Sequence, residues 1–207
     1  MIDLYFWTTD NGYKARHGME ESGLDYTVKP VRIPDREQFA PEFLKLNPAH
    51  KIPVIVDHDG PGGEPLTLSE SGAILKYTAE KACNGQYPDD PAKRVLVDRW
   101  LFYGSAQFTT LAQQYGFFWI RNPETVEQAK AHYRNVLAEM FGLLDQRLAD
   151  NEYLAGNFSV ADISVYADTH IYGDDKWIGF GDFPNLKRWH DAIEARPAAQ
   201  RAWGPYE

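Results

Sequence analysis

Short apolar runs alternate with amphipathic segments through the first eighty residues of the chain. Ile2, Leu4 and Phe6 alternate with polar or amphipathic neighbours, which predicts a first β-strand. Asn11 follows at a position typical of a helix N-cap, and the helix is predicted to run to about Gly23. The chain is therefore expected to begin with a strand and then a helix.

The next elements are indicated by the same two periodicities and by turn residues. We predict a second strand at 26–31, a short helix from Pro41 to Leu46, strands at 54–57 and 66–68, and a helix from Glu70 to about Lys81. The Gly- and Pro-rich segment 59–63 supplies the hairpin turn between the last two strands. The order βαβ then ββα predicts a four-stranded mixed sheet with helices on both faces.

The composition changes after Cys83, where residues 84–91 are rich in turn residues and lack periodicity. We predict a first domain at 1–82, a linker at 83–91 and an all-helical domain at 92–207. Apolar residues recur every three or four positions from Val126 to Leu148, which indicates one long amphipathic helix.

Two further signals mark helices in the second domain. Ser159 and Asp162 have the spacing of a capping box, so we assign them to folding rather than to chemistry. Pro184 begins the helix predicted to be the last one, which ends before Pro197.

Charge and cysteine content exclude several classes of function. The 207 residues carry 21 basic and 30 acidic side chains, a net charge of -9, without a run of Lys or Arg, so nucleic acid is not an expected partner. The sequence contains no run of eighteen apolar residues, so no membrane-spanning helix is predicted. The single cysteine, Cys83, excludes an internal disulfide and is expected to be a dispensable, buried small side chain. We expect a soluble cytoplasmic protein.

The segment Lys51-Ile52-Pro53, followed by Glu70-Ser71, carries the main candidate chemistry. Pro53 precedes an apolar run, which predicts a tight turn into a strand and suits a cis peptide bond. Such a turn leaves the N–H and C=O of Ile52 free to pair with an extended peptide ligand. Glu70 and Ser71 begin a helix, and free N–H groups at a helix start bind anions.

The proline turn, the acidic-Ser pair, the linker and the helical domain with Ser-x-x-Asp together resemble the glutathione S-transferase superfamily over essentially the whole chain. The segments most similar to its bacterial Nu class, and to the yeast prion-protein relatives, are 1–6, Thr9, 11–12, 51–53 and 70–74. The resemblance implies a thioredoxin-like domain followed by a helical domain. It also implies glutathione or glutathione disulfide as co-substrate, no metal, and a homodimer.

Residue by residue, the resemblance assigns the backbone of Ile52, held by Pro53, to the cysteinyl part of glutathione. Glu70 and Ser71 are assigned to the γ-glutamyl end. Physical chemistry agrees, because a carboxylate pairs with the ligand's ammonium while the hydroxyl and helix N–H groups donate to its carboxylate. Gln38 and Lys51 are assigned to the region of the glycyl end.

The superfamily usually places a Tyr, Ser or Cys after the first strand to activate the glutathione thiol. This chain has Thr8, Thr9, Asp10 and Asn11 there, with Tyr5 inside the strand. By resemblance, Asn11 and Thr9 occupy the thiol region. We predict that donors near Asn11, assisted by the positive end of the first helix, stabilise the thiolate. Thr8 and Tyr5 stay open as alternatives.

The second domain is expected to complete the site. Relatives place a basic residue of the long helix near glutathione, and here it is either His132 or Arg134. The co-substrate pocket is predicted to include the aromatic residues Trp7, Tyr103, Phe117 and Trp119, which suit a small hydrophobic or disulfide substrate. The expected function is glutathione transfer, as in detoxification, or glutathione-dependent disulfide reduction; the alternative is a non-catalytic glutathione-binding module.

Overall fold

The structure, a computed structural model, describes residues 1–206. It contains two compact units. The first comprises Met1–Tyr87 together with the described residues from Arg196 onward, and the second comprises Pro88–Ala195.

The first unit is built on a four-stranded mixed sheet. Its strands are β1 (Ile2–Phe6), β2 (Tyr26–Pro30), β3 (Val54–Asp57) and β4 (Leu66–Ser69). The strand order is β2-β1-β3-β4, with β1 and β2 parallel and the other two pairs antiparallel. The mixed sheet expected from the order of elements is confirmed.

Helices cover both faces of this sheet, as predicted. On one face, residues of α1 (Asp10–Ser22) and α3 (Ser71–Ala82) pack on the inward side chains of β1. On the other face, Phe43 of α2 (Pro41–Leu46) packs with Val31 and Val54. The alternation of β1 therefore separates two apolar clusters, since successive side chains of a strand point to opposite faces.

Helix α1 begins two residues earlier than the sequence pattern indicated. Thr9, in extended conformation, is the N-cap, and its Oγ1 accepts a hydrogen bond from Gly12 N at 3.1 Å. The prediction that Asn11 caps the helix is wrong, because Asn11 lies inside the first turn. A Cβ on Gly12 would lie 2.1 Å from the Trp7 carbonyl oxygen, so this close approach requires glycine. At the other end, Gly23 adopts a left-handed conformation as the C-cap.

A further helix, α9 (Pro197–Trp203), follows the helix predicted to be the last. It belongs to the first unit, whereas the sequence placed it in the helical domain. The buried Arg16 of α1 holds this segment: it donates to the carbonyl oxygens of Ala202 at 2.9 Å, Gly204 at 2.8 Å and Pro205 at 3.1 Å. A guanidinium satisfies unpaired carbonyl groups at a helix end.

The second unit is helical. Its helices are α4 (Pro91–Phe102), α5 (Thr109–Gly116), α6 (Glu127–Ala149), α7 (Val160–Tyr172) and α8 (Pro184–Glu194). The single long helix predicted from 126 to 148 is confirmed as α6. Two π-helical segments, Tyr103–Phe108 and Phe117–Arg121, flank α5 and were not predicted. Within residues 1–206, no helix combines the length and apolar character that crossing a membrane requires.

The capping box at the start of α7 is confirmed as a folding element. Asp162 is fully buried, and its Oδ2 accepts hydrogen bonds from Ser159 N at 2.9 Å and Ser159 Oγ at 3.0 Å. Its Oδ1 accepts from Leu154 N and Trp189 Nε1, both at 2.9 Å. One carboxylate therefore fixes the helix start, the preceding loop and α8.

Cys83 differs from its expected place in the core. It is exposed, and it ends α3 in a left-handed conformation with φ 49°. Its Sγ lies 3.4 Å from the carbonyl oxygen of Glu80. The expectation of a buried small side chain is wrong, because the residue lies just beyond the last turn of the helix.

Candidate functional site

The start of α3 has the features of an anion site. Glu70 is exposed and adopts φ 70° and ψ 114°, a region that costs a non-glycine residue about 1–3 kcal/mol. Among residues 1–206, no side chain caps the start of α3, in contrast to α1. The first N–H groups of α3 are therefore available to a negatively charged ligand, next to a carboxylate available to a positive one.

Ser71 connects this helix start to the first turn of α1. Ser71 is buried, with 7% of the residue exposed, and its Oγ donates a hydrogen bond to Asn11 Oδ1 at 2.9 Å, across 60 residues of sequence. Because the amide oxygen is the acceptor, the Asn11 Nδ2 group is left as a donor. Within residues 1–206 it has no hydrogen-bond acceptor. The hydroxyl predicted to donate to a ligand thus orients Asn11 in this structure.

The backbone donors of residues 11–13, in the first turn of α1, are already used. Gly12 N donates to Thr9 Oγ1, and Asn11 N donates to Asp10 Oδ1 at 2.8 Å. Tyr13 N donates to the Thr9 carbonyl oxygen at 2.9 Å. These three N–H groups therefore have acceptors already, whereas the Thr9 hydroxyl proton and the Asn11 amide have none among residues 1–206.

The Ile52-Pro53 peptide bond is cis, as the sequence suggested. In the described part of the chain, neither the N–H nor the C=O of Ile52 takes part in a backbone hydrogen bond. The loop before it is held by Asn47, whose Nδ2 donates to the Lys51 carbonyl oxygen at 2.8 Å. The Lys51 side chain is exposed. The structure thus presents a free backbone edge on an anchored loop. Asn47 was missed, although Asn-Pro is a turn signal.

The remaining predicted residues of the first unit occupy distinct surroundings. Gln38 is half-buried, and its Oε1 is buried without a hydrogen-bond partner among residues 1–206. The Trp7 ring is half-buried, with the Arg32 guanidinium 6.0 Å from its centroid. Tyr5 packs in the second apolar cluster, 6.1 Å from the Phe43 ring, which disfavours it as the thiol activator. Thr8 is exposed.

In the helical unit, the predicted aromatic residues differ in exposure. Tyr103 packs edge-on to Trp100 at 5.4 Å, and burial raises the pKa of its hydroxyl to about 12. Phe117 and Trp119 are 40% and 42% exposed. The Lys130 ammonium lies 5.3 Å from the Trp119 ring centroid. Phe117 and Trp119 are therefore open to a ligand, whereas Tyr103 is half-buried and its place in a co-substrate pocket stays a prediction.

The two residues of α6 predicted to lie near glutathione, His132 and Arg134, are both exposed. His132 packs edge-on against Tyr133, with ring centroids 5.1 Å apart. Arg134 lowers the pKa of Tyr115, although burial raises that pKa more strongly. The choice between His132 and Arg134 stays a prediction.

Comparison with models of known protein families shows to which family the chain belongs. The model of the glutathione S-transferase N-terminal domain matches residues 11–81, and that of the C-terminal domain matches residues 108–197. Together these models cover most of the chain. The chain belongs to the glutathione S-transferase family, which confirms the resemblance.

Two curated relatives within this family are disulfide-bond oxidoreductases. The chain is 38% identical over 205 residues to the disulfide-bond oxidoreductase YfcG of Escherichia coli strain K12, covering 98% of this chain and 94% of that protein. It is 31% identical to YghU, a second disulfide-bond oxidoreductase of that strain, over 97% of this chain and 73% of the relative.

Solved structures of similar proteins contain glutathione. A Burkholderia graminis glutathione transferase with two glutathione molecules bound per subunit has a TM-score of 0.92 and 35% identity, covering 97% of this chain and 86% of that one. A Pseudomonas putida transferase with one glutathione disulfide bound per subunit has a TM-score of 0.89 and 35% identity, covering 97% of this chain and 90% of that one.

Proposed function

We propose that this protein uses glutathione to reduce small disulfides. The observation that carries the proposal is the similarity, over nearly the whole chain, to a disulfide-bond oxidoreductase. Support also comes from the first unit, where the strained Glu70, the uncapped start of α3 and the free edge of Ile52 suit a γ-glutamyl peptide. The absence of any cysteine in segment 8–11 agrees with chemistry between small thiols and disulfides.

Each part of glutathione is assigned to a protein group of complementary charge or hydrogen-bonding capacity. The Glu70 carboxylate pairs with the ligand's α-ammonium, and the N–H groups of Ser71 and Gly72 donate to its α-carboxylate. Ile52 pairs with the cysteinyl backbone through its free N–H and C=O. Gln38 and Lys51 are proposed at the glycyl end, where an ammonium attracts a carboxylate.

The thiolate is stabilised by the amide of Asn11, with the Thr9 hydroxyl as second donor. A free thiol has a pKa of about 8.5, so a decrease of one or two units ionises most of it at neutral pH. The thiolate attacks one sulfur of the disulfide, forming a mixed disulfide and releasing the other sulfur as a thiolate that takes up a proton. A second glutathione resolves the mixed disulfide and forms glutathione disulfide, so two glutathione molecules supply the two electrons.

A panel of steady-state rates tests this proposal. Glutathione is combined in turn with hydroxyethyl disulfide, cumene hydroperoxide and an aryl halide. The proposal expects the largest acceleration over the enzyme-free reaction with the disulfide. A larger acceleration with the aryl halide would assign conjugation instead, and no acceleration with any substrate would support the non-catalytic binding module.

The co-substrate is proposed to be small and partly aromatic or apolar, because Phe117 and Trp119 expose large ring surfaces in the helical unit.

A homodimer is proposed from the family and from the exposed apolar side chains of Val95, Leu96 and Phe102 on α4. Sedimentation at a single mass of 23.6 kDa would contradict it. Dependence on reduced glutathione supports a cytoplasmic location.

A further inference from the structure

His190 of α8 is a buried side chain whose polar atoms are unsatisfied. It is 6% exposed, and neither ring nitrogen has a hydrogen-bond partner among residues 1–206. Tyr166 and Phe180 cover the ring, with centroid distances of 4.9 Å and 4.8 Å. Buried nitrogen atoms normally have partners, because leaving them unsatisfied costs free energy. The imidazole therefore has an unused ligand atom.

Two carboxylates of the same helix lie beside this ring. Asp191 Oδ1 is 3.5 Å from His190 Nδ1. One ligand atom each from His190, Asp191 and Glu194 lies within 4.8 Å of the other two. Metal–ligand bonds to nitrogen and carboxylate oxygen are about 2.0–2.2 Å, so ligand atoms on one ion lie roughly 3–4 Å apart. The side chains of Asp191 and Glu194 are 49% and 55% exposed, which allows the small rotations that bring them together.

We propose that His190, Asp191 and Glu194 bind a divalent transition-metal ion such as Zn²⁺. One imidazole with two carboxylates is a donor set that favours this class of ion over Mg²⁺ or Ca²⁺, which prefer oxygen ligands alone. Three protein ligands leave a fourth position for solvent. None of these three residues belongs to the proposed glutathione site, whose chemistry needs no metal.

One further histidine lies beside this cluster. His170 of α7 has its Nδ1 3.0 Å from the Tyr166 hydroxyl, and the same atom lies 3.9 Å from Glu194 Oε1, which is beyond hydrogen-bond distance.

Lys187 is the competitor for the same carboxylate. Its Nζ lies 2.6 Å from both oxygens of Asp191. An incoming ion has to displace this ammonium, so the lysine weakens the site. Removing the ammonium while keeping the carboxylate should therefore increase metal affinity, an effect that a non-specific surface cation site elsewhere on the chain does not predict.

The test is calorimetric titration of the chelator-treated full chain with Zn²⁺, repeated with Co²⁺ followed by visible absorption. Glu194→Gln should weaken the binding of one ion per chain at least tenfold, and Lys187→Gln should strengthen it several-fold. Glu124→Gln, which removes an exposed carboxylate outside the cluster, is the matched control and should change nothing. Glu194, Lys187 and Glu124 are all exposed, so these variants are expected to fold.

Three results would overturn the proposal. They are equal affinity in the wild type and Glu194→Gln, equal or weaker affinity in Lys187→Gln, and no saturable binding by the wild type. Thermal unfolding gives an independent readout, because a ligand that binds only the native state raises the melting temperature. Zn²⁺ should raise it for the wild type and less for Glu194→Gln.

Discussion

Asn11 offers the sharpest test of how the thiolate is stabilised. Its Oδ1 accepts the Ser71 hydroxyl at 2.9 Å, which leaves Nδ2 as the donor. Asn11→Ala removes this donor, and a hydrogen bond to a charged acceptor contributes about 1.5–3 kcal/mol. Part of that loss is replaced by water, so we expect the pKa of bound glutathione to rise by about one unit, equivalent to about 1.4 kcal/mol.

Asn11→Asp is the informative companion variant. It keeps the shape of the side chain and an oxygen for the Ser71 hydroxyl, but it replaces the amide donor by a negative charge. Two like charges about 4 Å apart at an effective dielectric constant of about 20 repel by about 4 kcal/mol. The thiol pKa should therefore rise further than in Asn11→Ala, by about two units or more.

The assay follows the ultraviolet absorbance of the enzyme-bound thiolate against pH for the wild type and both variants. Affinity for glutathione, measured about two pH units below the thiol pKa, should stay nearly unchanged in Asn11→Ala, because the clamp at Glu70 is intact. If Asn11→Ala titrates like the wild type while Tyr5→Phe shifts, the strand tyrosine is the activator and the reasoning fails.

Three other perturbations address binding and stability. Glu70→Ala should weaken glutathione binding by about 1.5–3 kcal/mol in calorimetry, and equal affinity would refute the assignment. Arg16→Met should destabilise the protein by about 2–4 kcal/mol in urea and increase amide exchange in α9, since three carbonyl groups lose their donor. Burial raises the pKa of Glu21, but Arg196 and His17 outweigh it and lower that pKa from 4.5 to about 2. Stability from this carboxylate is therefore complete above about pH 4.5 and is lost as the pH falls toward 2, so Glu21→Gln should lose about 3 kcal/mol less on acidification than the wild type.

Local patterns predicted the sheet and the long helix because each rests on neighbouring residues. The alternation of β1, the Pro-rich turns and the spacing from 126 to 148 needed no distant contact to be interpreted. Turn chemistry likewise predicted the cis bond at Pro53 and the capping box at Ser159. These elements were predictable because propensity and burial agree.

Features that depend on distant contacts were not predictable. Ser71 bonds to Asn11 across 60 residues, so nothing local distinguishes that amide from an N-cap. Both Thr9 and Asn11 are good N-cap residues, and the extended conformation of Thr9 decided between them. Arg16 connects helix α9 to the first unit by donating to the Ala202 carbonyl oxygen. The pattern of apolar and polar residues does not predict this hydrogen bond. The π-helical segments have no simple periodic signature.

The central claim is that bound glutathione, and no cysteine of the protein, carries the redox chemistry. The most direct test is the steady-state rate of glutathione-dependent reduction of hydroxyethyl disulfide, compared between the wild type and Cys83→Ser. Cys83 is exposed and outside the proposed site, so both proteins should accelerate the reaction equally over the enzyme-free rate. A folded Cys83→Ser variant that loses most of the activity, or a wild type that gives no acceleration, would contradict the claim.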